Sequence, residues 1–425
     1  MLDINLIRNE PEMVRENLKR RGKKEYLEML DELLKKDKEW RELKTKTQEL
    51  QHRRNVLSKR IGEAKSKGED VTKEMEEVVK IREEIKKNNE KIEALRKEID
   101  LLLLRIPNLL HDSVPPGKDE KDNVEIKRWG SPPKFDFEPK SHLEIGKGLI
   151  DFESGAKVAG NSFPCLKEDM VMLDMAIQRF AIDFLRERGY VLVEPPYMVN
   201  RKVYEAMIGD PTDFGEAAYK IEGEELYLIP TSEYPLGGMF MNRVFTKDEL
   251  PIKLVGVSPC FRREVGTHGK YAKGLFRMHQ FNKVEQFIIC LPEESYEFFE
   301  ELQRNSEELY QKLGLHYRVV NVCAGDIGKK QAKQFDIEVW MADGKFREVG
   351  SNSNCTDYQA RRLNIKYRDK EGQAPKGYVH TLNNTALATS RTMIAILEQY
   401  QQKDGSVKIP EVLRPYMNGK KFIKF

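Results

Sequence analysis

Two interleaved rows of apolar positions dominate the first quarter of the chain. Leu33, Trp40, Thr47, Arg54 and Ile61 recur every seventh residue, and Leu43, Leu50, Leu57 and Ala64 form a companion row. After the polar break Ser66-Lys67-Gly68-Glu69-Asp70, a second array begins. Val71, Val78, Ile85, Ile92, Ile99 and Ile106 repeat with the same period, accompanied by Ile81, Asn88, Leu95 and Leu102. Two rows at this spacing form the seam of a coiled coil. The arrays are similar in length and joined by a short polar turn containing Gly68, which predicts an antiparallel helical hairpin over about 31–106. Each helix would run about 50 Å. Charged residues of both signs fill the remaining positions, so the arm buries one narrow seam and projects into water. A dimerisation stalk and a lever gripping a long ligand both fit. The cluster His52-Arg53-Arg54, with Lys59, Arg60 and Lys65 nearby, favours an anionic partner.

The periodicity then dissolves. Residues 107–139 are rich in Pro and Gly and read as a charged linker, leaving a body over 140–425. The body opens with an amphipathic helix over 169–188, whose apolar face carries Met170, Leu173, Ile177, Phe180, Ala181 and Phe184. Strands are predicted over 190–196, 226–229, 254–259, 281–290, 317–322, 335–341 and 346–349, and helices over 293–313 and 385–401. Several strands in succession before a helix interrupts predict an α+β body with a mainly antiparallel sheet flanked by helices.

Composition sets limits on this picture. Hydrophobic residues make up 39% of the 425, enough for a substantial core. No run approaches the ~18 apolar residues of a membrane span, and the start MLDINLIRNEPE has no apolar signal region. A cytoplasmic chain without membrane attachment is expected. The net charge of +3 is close to neutral, so a nucleic-acid surface must be a local patch. Cysteines 165, 260, 290, 323 and 355 are widely spaced, which argues against a disulfide framework or a structural zinc site. A nucleotide would not be held by a P-loop or a G-x-G-x-x-G turn, since neither motif occurs.

Candidate chemistry gathers after residue 230. In SPCFRREVGTHGKYAKGLFRMHQFNKVEQFII (258–289), Arg262 and Glu264 are two apart, as residues on one face of a strand are. A loop with Lys270 and Lys273 follows, then a second strand expected to carry Arg277, Phe281 and Glu285. Arginines suit phosphate, and Phe281 offers a stacking plane to a base. Glu348 and Ser351, placed at a strand end, suit Mg²⁺ bridging phosphates. Asn383 and Thr385 are expected at a helix start, with Arg391 about two turns in, as a salt-bridged structural residue or a phosphate clamp. Thr231, Ser232 and Glu233 follow a strand and suit a small hydroxylated amine or a helix cap.

The strand-to-Pro segment ending at Pro196, the FRRE…GLFRMHQFNKVE hairpin and the Arg391 helix resemble the three signature motifs of class II aminoacyl-tRNA synthetases. The N-terminal hairpin, DFESGAKVAG (151–160), TSE (231–233), EVGSNSNC (348–355) and TLNNTALATSR (381–391) narrow the resemblance to seryl-tRNA synthetases of the bacterial type. It spans essentially the whole chain. It implies a tRNA-binding domain over 1–106 and a catalytic domain over 140–425. It also implies a homodimer with tRNA bound across it, and L-serine, ATP and serine tRNA as substrates, with selenocysteine tRNA also served. Arg262, Arg263, Glu264, Phe281, Glu348, Val349, Gly350, Ser351 and Arg391 are implied for ATP, with Glu348 and Ser351 holding Mg²⁺. Thr231, Ser232, Glu233, Arg262, Glu285, Asn383 and Thr385 are implied for serine, and Arg277 for charge neutralisation at the reacting groups. Arg53, Arg54, Lys59, Arg60, Lys270 and Lys273 are the tRNA candidates.

The chain departs from the usual family pattern at Ser232 (more often Ala), Gly350 (Ser), Asn384-Thr385 (Gly-Ser) and Asn161-Ser162. The charged positions are kept. The absence of an inserted zinc-ligand set argues against the zinc-dependent branch of the activity. The competing reading is a synthetase-like protein that binds tRNA or serine without chemistry. Such a chain would be expected to lose the motif arginines or the metal carboxylate, and Arg262, Arg277, Glu348 and Arg391 are all present.

Overall fold

The computed structural model describes residues 1–209, 218–264 and 274–425. The chain divides into two compact units. One comprises Leu2–Lys19 and Lys23–Pro107, and the other Asn108–Phe425 together with Arg20–Gly22.

In the first unit, α1 (Ile4–Asn9) and α2 (Pro11–Lys19) precede two long helices, α3 (Lys24–Ser66) and α4 (Thr72–Arg105). The ion pairs Lys36–Glu98, Lys46–Glu84 and Arg53–Glu77 rise in one helix as they fall in the other, so the hairpin is antiparallel. The heptad rows face inward: Leu33, Thr47, Val78, Ile81, Ile85, Leu95, Ile99 and Leu102 are buried. Thr47 is tolerated in the seam because its hydroxyl donates to the Leu43 carbonyl at 2.8 Å. Near the open end, buried Asp37 accepts from Arg8 at 2.6 Å and Arg41 at 3.0 Å. Burial works against its charge, but these hydrogen bonds hold the carboxyl below its ordinary value.

The second unit is built on an eight-stranded sheet. Its strands are β1 (Val124–Trp129), β2 (Val191–Val193), β3 (Ile252–Phe261), β4 (Gln280–Cys290), β5 (Tyr317–Asn321), β6 (Lys333–Trp340), β7 (Phe346–Asn354) and β8 (His380–Ala388). The order is β1-β5-β6-β7-β8-β4-β3-β2. Every neighbouring pair is antiparallel except β2 with β3. Helices α5 (Asp169–Arg186), α7 (Ser295–Lys312) and α8 (Thr389–Gln399) pack on the sheet. The expected inward face of α5 is buried, together with Val284 and Ile288 of β4 and Phe299 and Leu302 of α7.

Three sequence expectations are corrected. The stretch 107–139 is more than a linker, because its residues 124–129 pair with Tyr317–Asn321 as an edge strand. The alternation of Val124 and Ile126 with Glu125 and Lys127 is short and lies among the prolines and glycines of the segment, and the side chains are almost all exposed. The helix expected from 385 begins at Thr389, and Asn383 and Thr385 lie on β8. Both of their neighbouring strands offer ladder hydrogen bonds that outweigh local helix propensity. The strand expected to end at 349 continues to Asn354.

Candidate active site

Alternation along adjacent strands sorts the polar residues onto two faces. On β4, Phe281, Lys283 and Glu285 point to one side, while Gln286 turns to the helices, donating to Ser306 of α7 at 3.0 Å. On β8, Asn383 and Thr385 share the face of Glu285. Asn384 takes the other side, where it donates to the Leu302 carbonyl at 2.7 Å. Strand β7 breaks the alternation. Its register with β6 slips between Ile337 opposite Gly350 and Glu338 opposite Glu348. This bulge re-aims the chain, so Glu348 and Ser351, three apart, line the same cavity. Gly350 packs closely on β8: a Cβ there would stand 3.3 Å from Thr385 Cβ, so a larger residue needs a small shift of Thr385.

The cavity encloses about 650 Å³. At one end lie two buried carboxylates, each with its own lysine. Lys283 Nζ is 2.7 Å from Glu285 Oε2 and donates to Thr231 Oγ1 at 2.7 Å. Burial pushes the Glu285 carboxyl up, opposed by Lys283. Thr385 Oγ1 reaches Glu285 Oε2 at 3.4 Å. Glu233, at the first turn of α6 (Glu233–Gly238), accepts on Oε1 from Lys330 at 2.5 Å, Gln359 at 2.6 Å and Asn383 at 3.2 Å. Arg262 follows β3. Its guanidinium sits 5.2 Å from the Phe281 ring centroid and donates to the Pro230 carbonyl at 3.3 Å. Arg263 and Glu264 also line the cavity.

An adjoining cleft shares Arg262, Glu264, Glu348 and Thr385 with the cavity and adds Phe281, Val349, Gly350 and Arg391. Arg391 is the third residue of α8, earlier in the helix than expected. It donates to the Glu348 carbonyl and lies 4.6 Å from the Phe276 ring centroid. Behind Ser351 the buried Asp336 carboxyl is hydrogen-bonded by it, and burial with the Glu348 carboxylate pushes Asp336 up.

Not every expected residue joins the site in the expected way. Ser232 is fully buried and its hydroxyl meets Ser258 Oγ at 2.7 Å, so it turns away from the cavity. The α6 backbone lets Thr231 and Glu233 face the cavity with Ser232 between them pointing to β3. Arg277 precedes β4 and reaches the site through Glu264, 3.1 Å away. Lys270 and Lys273 lie outside the described residues. On α3, Arg53 pairs with Glu77, Arg54 is half-buried on the seam and donates to Asn55 at 2.9 Å, and Lys59 and Arg60 are exposed. Among the described residues, no group of three or more His, Cys, Asp or Glu is placed to hold a metal by itself. All five cysteines are free thiols.

Lys283, Lys330, Gln359 and Phe276 were not singled out in the sequence. Lys283 was within reach of the alternation argument, lying between Phe281 and Glu285 on one face. Lys330 sits in a loop with no pattern to mark it.

Residues 218–400 match the family model of the tRNA synthetase class II core domain (G, H, P, S and T), which places the second unit in that class. Residues 1–110 match the seryl-tRNA synthetase N-terminal domain. The chain is 53% identical to the serine–tRNA ligase of Methanocella arvoryzae over 100% of both chains, and 50% identical to that of Pyrococcus furiosus over 100% of this chain and 98% of the relative. It superposes on seryl-tRNA synthetase from Pyrococcus horikoshii complexed with ATP with a TM-score of 0.95 at 48% identity, covering 100% of this chain and 99% of the other. For the cytoplasmic serine–tRNA ligase of Naegleria fowleri in complex with AMP the TM-score is 0.90 at 36% identity, with 100% and 99% covered. The chain belongs to the seryl-tRNA synthetase family.

Proposed function

We infer that the chain is a serine–tRNA ligase and that the cavity joins serine to ATP before the seryl group passes to tRNA. The convergence of Arg262, Glu285, Glu348, Thr385 and Arg391 on one connected cavity carries this reading. The serine carboxylate attacks the α-phosphorus, a P–O bond forms, and pyrophosphate leaves. The attacking group is already an anion, so this step asks for positioning and charge neutralisation rather than a general base.

Arg262, shared by cavity and cleft, is suited to clamp the α-phosphate and the serine carboxylate. Glu264 reads the adenine amino group, Phe281 stacks on the ring, and Val349 and Gly350 form the cleft floor. Arg263 and Arg391 face the phosphates, and Arg277 holds Glu264. Thr231, Glu233, Glu285, Asn383 and Thr385 surround the amino acid, with a carboxylate for its ammonium. The residues fit Mg²⁺: the β7 bulge brings a carboxylate and a hydroxyl, Glu348 and Ser351, to one cavity wall. A hard cation that keeps few protein ligands and takes phosphate oxygens suits that pair. The ion would neutralise triphosphate charge.

The second step moves the seryl group to the terminal ribose hydroxyl of serine tRNA, and by the same family logic of selenocysteine tRNA. The 1–106 segment, with Lys59 and Arg60 exposed on the hairpin, serves tRNA binding, and 140–425 serves catalysis. A homodimer is supported by exposed apolar side chains, Val191 and Leu192 on the edge strand β2 and Met172 and Met175 on α5. No helix among the described residues is long and apolar enough to cross a membrane, and a cytoplasmic location suits a tRNA substrate. Serine-dependent exchange of pyrophosphate into ATP tests the reading. A folded protein that exchanges no faster with serine than without it would overturn it.

A further inference from the structure

Glu233 is held in an unusual way. Three donors converge on its Oε1, from Lys330, Gln359 and Asn383, while its side chain lines the cavity. The Lys330 side chain is 14% exposed and Glu233 5%. Burial lowers the Lys330 ammonium, but the Glu233 and Glu285 carboxylates hold it above the ordinary lysine value, so it is a cation in the site.

The loop that presents Lys330 is itself clamped. The Lys330 carbonyl accepts from Asn108 Nδ2 at 3.0 Å. Arg21, only 2% exposed, donates to the carbonyls of Ile327, Gly328 and Gln331 at 3.2, 3.1 and 2.9 Å. A lysine is a flexible cation, and fixing its backbone on both sides confines its ammonium to one end of the cavity.

We propose that Lys330 is a positioning residue for amino-acid activation: it holds Glu233 through Oε1 so that Oε2 receives the ammonium of the amino acid. The two lysines then have parallel tasks. Lys283 fixes Glu285 and Thr231, Lys330 fixes Glu233, and the acids they hold face one substrate. Without Lys330 the Glu233 carboxylate loses the donor that fixes its orientation. Its side chain must then be ordered anew by each incoming substrate, and that ordering is drawn from binding. This weakens serine binding and leaves ATP binding alone. The proposal rests on the reading of this cavity as the serine site.

The test uses the full chain in serine-dependent ATP–pyrophosphate exchange, with Lys330→Met and Glu233→Gln singly and combined. Lys330→Met is expected to raise KM for serine about tenfold or more, with KM for ATP within about twofold of the parent. In the Glu233→Gln background, Lys330→Met should change KM for serine by less than about twofold, since its partner's charge is gone. An unchanged or lowered KM for serine in Lys330→Met, or the same rise in both backgrounds, would overturn the proposal. Glu233→Gln with a parental KM would instead remove the serine-site reading, and the proposal with it. If thermal melting shows Lys330→Met to be unfolded, Lys330→Gln replaces it, with the same outcomes deciding.

Discussion

The Arg391 guanidinium donates to the Glu348 carbonyl at 2.9 Å and stands 3.3 Å from the Glu348 carboxylate. The contact ties the first turn of α8 to the bulged strand β7. A proposed phosphate clamp and a proposed metal ligand are thus held together before any triphosphate arrives. Such preorganisation avoids reordering the groups at the moment of reaction. Arg391→Ala should lower pyrophosphate exchange by about a hundredfold or more, in the range seen when one preorganised donor is lost. Arg391→Lys should recover little, because a point cation does not replace a planar fork. Near-parental exchange in a folded Arg391→Ala protein would contradict the assignment.

The hairpin offers a clean cut. Lys46 and Glu84 meet at 2.7 Å across the two helices, so a short glycine linker can close the chain after residues 47–83 are removed. The shortened protein keeps the buried Asp37 cluster and loses Arg53, Arg54, Lys59 and Arg60. Serine-dependent exchange should stay near parental while aminoacylation of tRNA falls sharply, because remote tRNA contacts help to position the acceptor end. Equal losses in the two assays would show that the arm supports the body instead.

His380 opens β8, and its Nδ1 lies 2.9 Å from Ser295 Oγ. Burial pulls its imidazole down from 6.5 to about 4. The folded state therefore binds this proton less readily than the unfolded chain. The resulting stability is fully present above about pH 6.5 and is lost as pH falls toward 4, a contribution on the order of 3 kcal/mol. Urea unfolding across that window should show a shallower pH dependence in His380→Asn than in the parent. Identical slopes would dismiss the effect.

Discrimination among amino acids should follow the same cavity. Thr231, Glu285 and Thr385 form a polar cluster whose partners would be left unpaired by alanine. A site built to bond a hydroxyl rejects the analogue lacking it by about 10⁴-fold in kcat/KM. Threonine keeps the hydroxyl, so its exclusion depends on steric fit, and overpacking costs about 1–3 kcal/mol. Pyrophosphate exchange with each amino acid decides the matter. Alanine within a hundredfold of serine would show that hydroxyl bonding is not the selector.

Much of this architecture is legible in the amino-acid pattern itself. The heptad rows at 33–64 and 71–106 have only one apolar stripe to bury, and two such stripes joined by Gly68 can satisfy each other locally. The α5 face and the long strands β3 and β4 were legible for the same reason: their burial repeats at the period of the element. Phe281 and Glu285, four apart on one strand, had to share a face.

What only the tertiary structure decided lies where periodicity is broken or where distant segments meet. Glu348 and Ser351 are an odd number of residues apart, and alternation puts them on opposite faces until the slip against β6 brings them together. Asn383 and Thr385 sit in a segment whose sequence suits a helix start, and the flanking strands make it β8. Residues 124–129 alternate only over Val124–Lys127 and stay almost wholly exposed, so what makes them an edge strand is pairing with distant Tyr317–Asn321. Lys330 reaches Glu233 across 97 residues of chain. Local pattern reports which face a residue takes within its own element. Which residue it faces across the fold depends on register, bulges and loop anchoring, which arise only when the elements pack.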